Sequence, residues 1–324
     1  MSLARLRIGV LRGGPSSEYE VSLKSGAEIL ANLRQDKYEP RDVFISKSGV
    51  WHDRGIEKSP ERVLGTVDVV INGMHGEYGE DGQVQKTLEA HRVPFTGSGS
   101  LPCAMAMNKV LTKREVEVLG IKMPRHLRIK IGENIDLLKS RVVESFAPPY
   151  IVKPVSRGSS VGVAVARTIF DIEPALYETF LYDSQAVVEE YISGREATCG
   201  IVEDLRNQRH YCLPPVEILP PSSSIFFDYN AKYGGGSREI CPGNFSDREK
   251  QEMRAIASRV HDALGLRHYS RSDFIVTRDG IYFLEVNSLP GITKESLLPK
   301  SLEAIGVGLP DFLDHIIGLA MRGR

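Results

Sequence analysis

The stretch that most constrains the fold of this 324-residue chain runs from Tyr269 to Gly291. Two runs rich in β-branched and aromatic residues flank an Asp279-Gly280 dipeptide, which is a strong short-range signal for a β-hairpin. Ile275, Phe283 and Val286 give both runs the apolar character of core strands. The stretch therefore predicts an antiparallel strand pair whose Pro-Gly ending borders a cleft.

Polar side chains share one face of this predicted hairpin. Glu285 and Asn287 are two positions apart, so strand alternation points both to the same side of the sheet. The antiparallel return brings Asp273 beside them, and Arg271 points the same way as Asp273. Two carboxylates and an amide oxygen suit Mg²⁺ held together with substrate phosphates. A solvated face with incidental charges is the alternative, but the apolar residues between these positions favour the metal site.

Composition excludes several broad classes of function. The chain is 41% hydrophobic and 26% charged with a net charge of −1, so it has no electrostatic signature for nucleic acid or an anionic membrane. No apolar run approaches the ~20 residues that span a bilayer, and the N-terminal residues lack a secretory pattern. Cys103, Cys199, Cys212 and Cys241 are widely scattered, which predicts neither a zinc site nor a disulfide framework and fits a reducing cytoplasm.

Strand-like and helical runs alternate along the chain, which favours an α/β architecture. Early strands are predicted at Arg7 to Leu11 and at Val67 to Asn72, with a helix that starts near Val21 between them. Two further strands are predicted at Tyr150 to Lys153 and at Ala186 to Ile192.

Capping residues predict two helices in the second half of the chain. Asp171 can cap a short helix that has Pro174 in its first turn. Ser246 and Glu249 form a capping box for a longer helix that ends at Gly265.

Lys153 ends a predicted strand and is followed by the small-residue loop Arg157–Gly162. Backbone N–H groups of such a loop can cradle phosphate oxygens while the lysine supplies positive charge. An ordinary turn is the alternative, and the residues leave the two interpretations balanced. The loop does not match the P-loop pattern, and Gly13-Gly14 does not complete a G-x-G-x-x-G motif.

Acidic residues mark three other places. The strand that ends at Glu189–Ile192 could bind an adenine edge and ribose hydroxyls, or it could be an edge strand with solvated acids. His75 and Glu80 lie in a glycine-rich loop, which indicates either close approach of the backbone to a ligand or a tight surface turn. Glu18 follows the first strand, where open α/β sheets bind ligands, but it could equally serve the following helix dipole.

In combination and in this order, the motifs resemble those of the D-alanine–D-alanine ligases, a family of the ATP-grasp superfamily. The resemblance covers nearly the whole chain, and the joint occurrence of the motifs makes it specific. The motifs that carry it are Gly13-Gly14-x-Ser-x-Glu18-x-Glu20-Val-Ser22, His75-Gly-x-x-Gly-Glu80-Asp-Gly, Thr96-Gly97-Ser98, Lys109, Lys153-Pro, Arg157-Gly-Ser159-Ser-Val-Gly, Glu189 to Ile192 with Gly194-x-Glu196, Tyr229-x-Ala-Lys232-Tyr233, Arg271-x-Asp273, Glu285-x-Asn287-x-x-Pro-Gly291 and Ser296-Leu-x-Pro.

The resemblance implies an α/β fold with the three-domain ATP-grasp architecture. A Rossmann-like (pre-ATP-grasp) substrate domain is expected at residues 1–101, a central ATP-grasp lid domain at 102–187, and a C-terminal ATP-grasp domain with the metal and catalytic site at 188–324. It also implies a homodimer in the cytoplasm, with no nucleic-acid or membrane partner.

The implied reaction joins two D-alanines into D-alanyl-D-alanine for peptidoglycan precursors and converts ATP to ADP and phosphate. In the family, the first D-alanine forms an acylphosphate, and the second amine attacks it to give a tetrahedral intermediate. An alternative is a ligase with D-lactate or another amino acid as second substrate, although Tyr233 argues against the ester product. A nucleotide-binding protein without turnover is the other alternative.

The resemblance assigns nucleotide and metal ligands residue by residue. Asp273, Glu285 and Asn287 are expected to hold two Mg²⁺ (or Mn²⁺) ions. The residues expected to contact ATP are Lys109, Lys153, Ser159, Ser160, Glu189, Glu190, Tyr191, Ile192, Glu196, Lys232, Phe283 and Asn287.

It also assigns the catalytic and substrate-binding residues. Glu18, Ser159 and Tyr233 resemble the hydrogen-bonded trio that closes a mobile loop over the site. Arg271 and the Gly291 N–H are expected to stabilise the oxyanion of the tetrahedral intermediate. The residues expected to bind D-alanine are Glu18, His75, Arg271, Gly291, Ser296 and Leu297.

Overall fold

The computed structural model describes residues 5–219 and 238–323, which form three β-sheets with helices packed around them. Each sheet is built from one consecutive part of the chain. The predicted α/β class is confirmed by this arrangement. In the described ranges, no helix combines the length and the apolar character that crossing a bilayer requires.

The first sheet combines parallel strands with an antiparallel edge. Its strands are β1 (Leu6–Gly13), β2 (Tyr38–Ile45), β3 (Trp51–Asp53), β4 (Ile56–Glu57) and β5 (Val69–Asn72). They are arranged in the order β4-β3-β2-β1-β5, with β1 parallel to both β2 and β5. The central strands are buried on both faces, as parallel strands between helices should be.

Three helices lie between or after these strands in sequence, and the strands and helices together form the first unit. The helices are α1 (Tyr19–Asn32), α2 (Pro60–Leu64) and α3 (Gln83–Ala90). Helix α1 starts two residues before the predicted Val21. Strand β5 starts two residues after the predicted Val67, because the Val67 N–H bonds to Leu64 O and closes the turn after α2.

The second sheet is antiparallel and has its own core. Its strands are β6 (His126–Lys130), β7 (Tyr150–Pro154), β8 (Ala164–Ala166) and β9 (Gln185–Glu190), in the order β6-β9-β7-β8. Helices α6 (Ile135–Ser145) and α7 (Ile172–Phe180) cover it, and their buried residues form one apolar cluster with the strands. Strands β7 and β9 lie where the sequence predicts them, within about two residues.

Asp171 does not cap α7 with its side chain, contrary to the prediction. A single 3-10 turn at Ile169–Asp171 precedes the helix, and the Asp171 carboxylate accepts hydrogen bonds from the N–H and hydroxyl of Thr168. Asp171 therefore belongs to a capping box one turn earlier than predicted. Pro174 is in the first turn of α7, as expected.

The third sheet contains the hairpin that the sequence predicts most strongly. Its strands are β10 (Arg195–Glu203), β11 (His210–Cys212), β12 (Val216–Leu219), β13 (Arg238–Ile240), β14 (Tyr269–Thr277) and β15 (Gly280–Asn287). They run in the order β13-β12-β10-β14-β15, and β11 pairs with the end of β10. Strands β14 and β15 form the expected antiparallel pair around Asp279-Gly280.

Two helices pack on the third sheet although they precede the second sheet in sequence. These are α4 (Ser100–Met107) and α5 (Lys109–Val118), and they share an apolar cluster with α8 (Asp247–Ala263) and β14 and β15. The predicted capping box of α8 is present: Ser246 Oγ accepts from the Glu249 N–H, and the Glu249 carboxylate accepts from the Ser246 N–H. Gly265 then ends the helix region in a left-handed conformation, φ +63°.

The C-terminal helices connect the third sheet to the first. Helix α9 (Leu297–Glu303) is followed by α10 (Leu309–Arg322). Apolar side chains of α10, including Phe312 and Ile316, share one core with Ile8 and Val10 of β1. At the rim, Arg34 and Lys37 pair with Asp314 of α10. The first and third units are thus held together by a continuous apolar core.

Candidate active site

The hairpin presents its predicted polar residues on one face. Arg271 is opposite Asn287 and Asp273 is opposite Glu285, and a β-bulge follows Asp273. Arg271 donates two hydrogen bonds to the Asp273 carboxylate, 2.9 and 3.0 Å, and the Asn287 amide donates a third, 3.2 Å. Thr198 of β10 donates a fourth, 2.6 Å, to the same carboxylate. Asp273 is therefore held by donors from three strands.

A first cavity of about 270 Å³ lies between the second and third sheets. Lys153 of β7 and the end of β9 form one wall, and Asp273 and Glu285 form the other. The predicted ATP-contacting residues that line it are Lys109, Lys153, Ser160, Glu189, Glu190, Tyr191, Ile192 and Glu196. The structure therefore brings together residues from four separate sequence motifs.

Phe283 does not line any described cavity, contrary to its expected contact with ATP. Its ring is fully buried in the core and packs edge-to-face on Phe274, with ring centroids 6.1 Å apart. The neighbouring Leu284 lines the first cavity instead, together with Phe274 and Ile275. Strand alternation points Phe283 away from the side on which Leu284 faces the cleft.

Glu189 lies between two lysine side chains rather than facing the cavity freely. Its carboxylate oxygens are 3.1 Å from Lys113 Nζ and 2.9 Å from Lys153 Nζ. Burial alone raises the pKa of Glu189, but the two lysine charges outweigh burial and lower it to about 2. Burial lowers the pKa of Lys113. Burial also disfavours the charged form of Lys153, but the charges of Glu189 and Glu285 and the hydrogen bond to Glu189 together outweigh burial and raise the pKa of Lys153.

No sequence motif predicted Lys113, which is 1% exposed. Its spacing from Lys109 was an available signal, because residues four apart in a helix share one face. Arg125 was missed as well. It binds the Glu190 carboxylate through its guanidinium at 2.7 and 2.8 Å, so the Glu190 side chain is committed to that arginine at the cavity's edge.

A second cavity of about 170 Å³ adjoins the first and contains the predicted substrate residues. Arg271, Glu285 and Leu297 line both cavities. The other predicted residues on the second cavity are Glu18, His75, Ser159, Asn287, Gly291 and Ser296. The hairpin face therefore lies where the two cavities meet.

Glu18 and Ser159 close one side of the second cavity. The Ser159 hydroxyl donates a 2.6 Å hydrogen bond to the Glu18 carboxylate, although the residues are 141 positions apart. Ser159 and Ser160 both have left-handed backbones, φ +49° and +59°. Arg157 in the same loop bonds to Glu77, and Lys109 Nζ donates to Arg157 O at 2.6 Å. The loop after β7 is thus tied to both neighbouring units.

His75 is buried at the base of the second cavity. Its two ring nitrogens contact Ser25 Oγ at 2.7 Å and Glu80 Oε1 at 3.0 Å. Burial disfavours the charged ring, but the hydrogen bond with Glu80 and its charge outweigh burial and raise the pKa of His75. A tight, satisfied site of this kind fixes the orientation of the ring.

The loop after β15 forms the opposite wall. Gly291 lies so close to Ser296 that a Cβ added to it would be 2.7 Å from Ser296 Oγ. Ser296 Oγ is also 2.8 Å from Thr293 Oγ1 and precedes the first turn of α9. The absence of a side chain at Gly291 therefore leaves its backbone open toward the cavity. Lys232 and Tyr233, predicted for this region, are outside the described residues.

Two family profiles match most of the chain, in sequence order. Residues 7–62 and 52–98 match the D-ala D-ala ligase N-terminus, and residues 116–318 match the D-ala D-ala ligase C-terminus. The chain is 38% identical over 318 residues to the D-alanine–D-alanine ligase of Geobacter sulfurreducens, covering 97% of this chain and 94% of the relative. It is 36% identical over 313 residues to that of Clostridium beijerinckii, covering 96% and 97%.

Solved structures give the same result. The VanG D-Ala:D-Ser ligase of Enterococcus faecalis has a TM-score of 0.87 at 28% identity, covering 98% of this chain and all of that one. The D-alanine–D-alanine ligase of Bacillus anthracis complexed with ATP has a TM-score of 0.80 at 30% identity, with 98% of each chain covered. The fold and site define an ATP-grasp enzyme. Within that class, the chain belongs to the D-alanine–D-alanine ligase family.

Proposed function

We propose that the chain is an ATP-dependent ligase that joins two D-alanines into D-alanyl-D-alanine for peptidoglycan synthesis. The observation that carries this proposal is the junction of the two cavities at Arg271 and Glu285. A phosphate group in the first cavity and a carboxylate in the second would meet at that junction. Holding two reactants in contact in this way removes much of the entropic barrier to reaction.

ATP would occupy the first cavity. Lys109 and Lys153 supply positive charge for its phosphates, and the end of β9 offers backbone groups beside an apolar wall. The buried Glu189 fixes Lys153 at 2.9 Å and prevents its side chain from moving into solvent. Fixed charges in a water-excluded site stabilise phosphoryl transfer more than mobile charges in water.

The residues on the hairpin face fit a divalent cation. Two carboxylates and an amide oxygen form the hard donor set that Mg²⁺ or Mn²⁺ prefers, and Asp273, Glu285 and Asn287 would hold two such ions. When bound, the ions would neutralise phosphate charge. Because Arg271 donates two hydrogen bonds to Asp273, the guanidinium must release that carboxylate before Asp273 can serve a cation. The released Arg271 could then face the reacting carbonyl.

The second cavity would bind the two D-alanines. Glu18 offers a carboxylate for the first ammonium, and its hydrogen bond with Ser159 fixes its position. The backbone N–H of Gly291 and the guanidinium of Arg271 are donors for the oxyanion. Ser296 would bind the second carboxylate, beside Leu297. Loop closure by Lys232 and Tyr233 stays a prediction.

Product analysis of the purified chain tests this function. With MgATP and D-alanine alone we expect ADP, phosphate and D-alanyl-D-alanine in equal amounts, and with L-alanine we expect no product. Parallel reactions with D-alanine plus D-lactate or D-serine measure the choice of second substrate by mass spectrometry. A lack of D-alanine-dependent ADP release would overturn the proposal. An ester as the main product would show that the second substrate is D-lactate rather than D-alanine.

Substitution of Glu285 tests the cation assignment. Glu285→Gln removes a charged ligand while preserving size, so turnover should fall more than about 100-fold and higher Mg²⁺ should restore part of it. The control is Glu303→Gln, an exposed glutamate on α9, which should keep the parent rate. Retention of near-full turnover by Glu285→Gln would remove the metal assignment.

We also propose three units with boundaries that follow the cores. Helices α4 and α5 share the core of the third sheet, and β9 pairs within the second sheet. The central unit would therefore span about residues 122–190 rather than 102–187, and its predicted end at 187 would otherwise divide β9. Homodimer formation and a cytoplasmic location stay predictions, and light scattering of the purified chain tests the former.

A further inference from the structure

A cluster of potential metal ligands lies outside both cavities. Glu203 ends β10, His210 is in β11 and His261 is in α8, and one ligand atom from each is within 4.8 Å of the other two. Glu203 is five residues beyond Thr198, which pairs with Asp273, and three beyond Gly200, which pairs with Arg271. None of the three residues lines either cavity, so the cluster is distinct from the cavity-lining side chains of the hairpin.

Both imidazole rings are oriented by hydrogen bonds at their Nδ1 atoms. His210 Nδ1 is 2.7 Å from Ser258 Oγ, and His261 Nδ1 is 2.7 Å from Ser270 Oγ. When Nδ1 carries the proton and donates it to serine, each Nε2 presents its lone pair to the cluster. Ligands of protein-bound metals are commonly oriented by such partners on the other ring nitrogen.

His210 Nε2 provides the independent sign of a ligand. The side chain is 8% exposed, and its buried Nε2 atom has no hydrogen-bond partner among residues 5–219 and 238–323. Asp262 Oδ1 is 3.4 Å from it but outside hydrogen-bond geometry. Buried polar atoms without partners are uncommon, and a bound ion is one of their recognised explanations.

Two separations between the candidate ligand atoms have the length of an edge in a small tetrahedral site. His261 Nε2 is 3.4 Å from Glu203 Oε1, and His210 Nε2 is 3.4 Å from Asp262 Oδ1. The first contact is a long hydrogen bond. Both separations match the edge of about 3.4 Å that a tetrahedron with zinc–nitrogen and zinc–oxygen bonds of about 2.1 Å has.

We propose that Glu203, His210 and His261 bind a Zn²⁺ ion, with Asp262 or water as the fourth ligand. Two imidazoles and a carboxylate favour Zn²⁺ over the harder Mg²⁺. The ion would join β10, β11 and α8 at one point. Glu203 O also accepts from His315 of α10, and Glu203 Oε2 accepts from the His268 N–H, so the ion would stabilise the junction with the first unit.

Metal titration of the full chain tests this site. The chain is stripped with a chelator, dialysed, and titrated with Zn²⁺ against a chromophoric competitor in excess Mg²⁺, which occupies oxygen-rich sites. His210→Asn removes Nε2 but can keep the hydrogen bond to Ser258. The matched control is His91→Asn, because His91 is exposed and its ring hydrogen-bonds to Thr87 O.

We expect one Zn²⁺ per chain for the parent and for His91→Asn, and at least about tenfold weaker binding for His210→Asn. Zn²⁺ should raise the Tm of the parent more than that of His210→Asn. Equal stoichiometry and affinity in parent and His210→Asn would overturn the proposal. Co²⁺ offers a second measurement that needs no variant: strong visible absorption of four-coordinate Co²⁺ in the parent supports the site, and the weak absorption of six-coordinate Co²⁺ contradicts it.

Discussion

At the scale of single residues, the active site depends on charges that are paired inside the protein. Glu189 lies between Lys113 and Lys153, at 3.1 and 2.9 Å. One anion between two cations leaves a net positive charge, and only Lys153 of the two lysines lines the first cavity. Lys113 thus acts as a positioning residue that prevents Glu189 from neutralising Lys153 completely.

Lys113→Met should weaken ATP binding without removing a group from the cavity. We expect KM for ATP to rise about tenfold, equivalent to about 1.4 kcal/mol, with a smaller change in kcat. Initial-rate kinetics measure this, and Lys86→Met on the exposed face of α3 is the control. An unchanged KM for ATP in Lys113→Met would refute the positioning role.

The buried Glu189 carboxylate predicts that the stability of the protein depends on pH. The pKa of Glu189 is lowered from 4.5 to about 2, so its stabilisation is complete above pH 4.5 and is lost as the pH falls toward 2. The parent and Glu189→Gln should therefore differ in free energy of unfolding by about 2 kcal/mol less at pH 3 than at pH 6. Urea denaturation at both pH values measures this difference. A gap that stays constant or widens with acid would contradict the assignment.

At the scale of elements, the hairpin and its following loop define the site. Alternation and the Asp-Gly turn correctly predicted the pairing of β14 with β15, because both signals are local. The loop after β15 is different: the contact between Gly291 and Ser296 depends on how the loop folds back before α9. Local patterns carry no information about such a close approach.

Gly291→Ala should disturb this loop more than the fold. The added Cβ would be 2.7 Å from Ser296 Oγ, the end of a short side chain that can rotate away. We expect KM for the second D-alanine to rise several-fold while the Tm changes by little, because the strain is relieved at Ser296. Gly308→Ala is the control, since its Cβ would meet Pro310 Cδ at an ordinary 3.7 Å. Equal KM values for the two variants would be inconsistent with a substrate role for Ser296.

Local patterns predicted much of the site, whereas contacts that depend on tertiary packing could not be predicted from the sequence. The motifs identified the residues around both cavities, because each motif has a characteristic local spacing. Phe283 was placed with ATP although it is a core residue, and Lys113 was overlooked although it is buried against Glu189. Both errors concern which way a side chain faces between packed elements, and tertiary packing rather than local pattern decides that.

At the scale of the whole molecule, we expect the first and third units to unfold together. Helix α10 packs on the first sheet, and Phe312 is fully buried there in edge-to-face contact with Tyr269. The second sheet has a separate core formed by its own strands and helices. Separate cores allow the central unit to move relative to the others when ligands bind.

Phe312→Ala should destabilise the first unit although the substitution is in the C-terminal helix. Loss of a buried Phe costs about 3 to 5 kcal/mol. The single tryptophan of the chain, Trp51, is buried in the first unit and reports its unfolding by fluorescence. We expect its urea transition to move to lower concentration, while Phe170→Ala, at a side chain 82% exposed, leaves it unchanged. If Phe312→Ala leaves the Trp51 transition unchanged, the first and third units do not unfold together.

The path of one carboxylate oxygen atom tests the acylphosphate route most directly. If the carboxylate of the first D-alanine attacks the γ-phosphate and the second amine then displaces the phosphate, one carboxylate oxygen leaves with the phosphate. D-Alanine labelled with ¹⁸O in its carboxylate should therefore yield inorganic phosphate with one ¹⁸O atom, together with an equal amount of ADP and dipeptide. Unlabelled phosphate released alongside dipeptide would contradict the acylphosphate route.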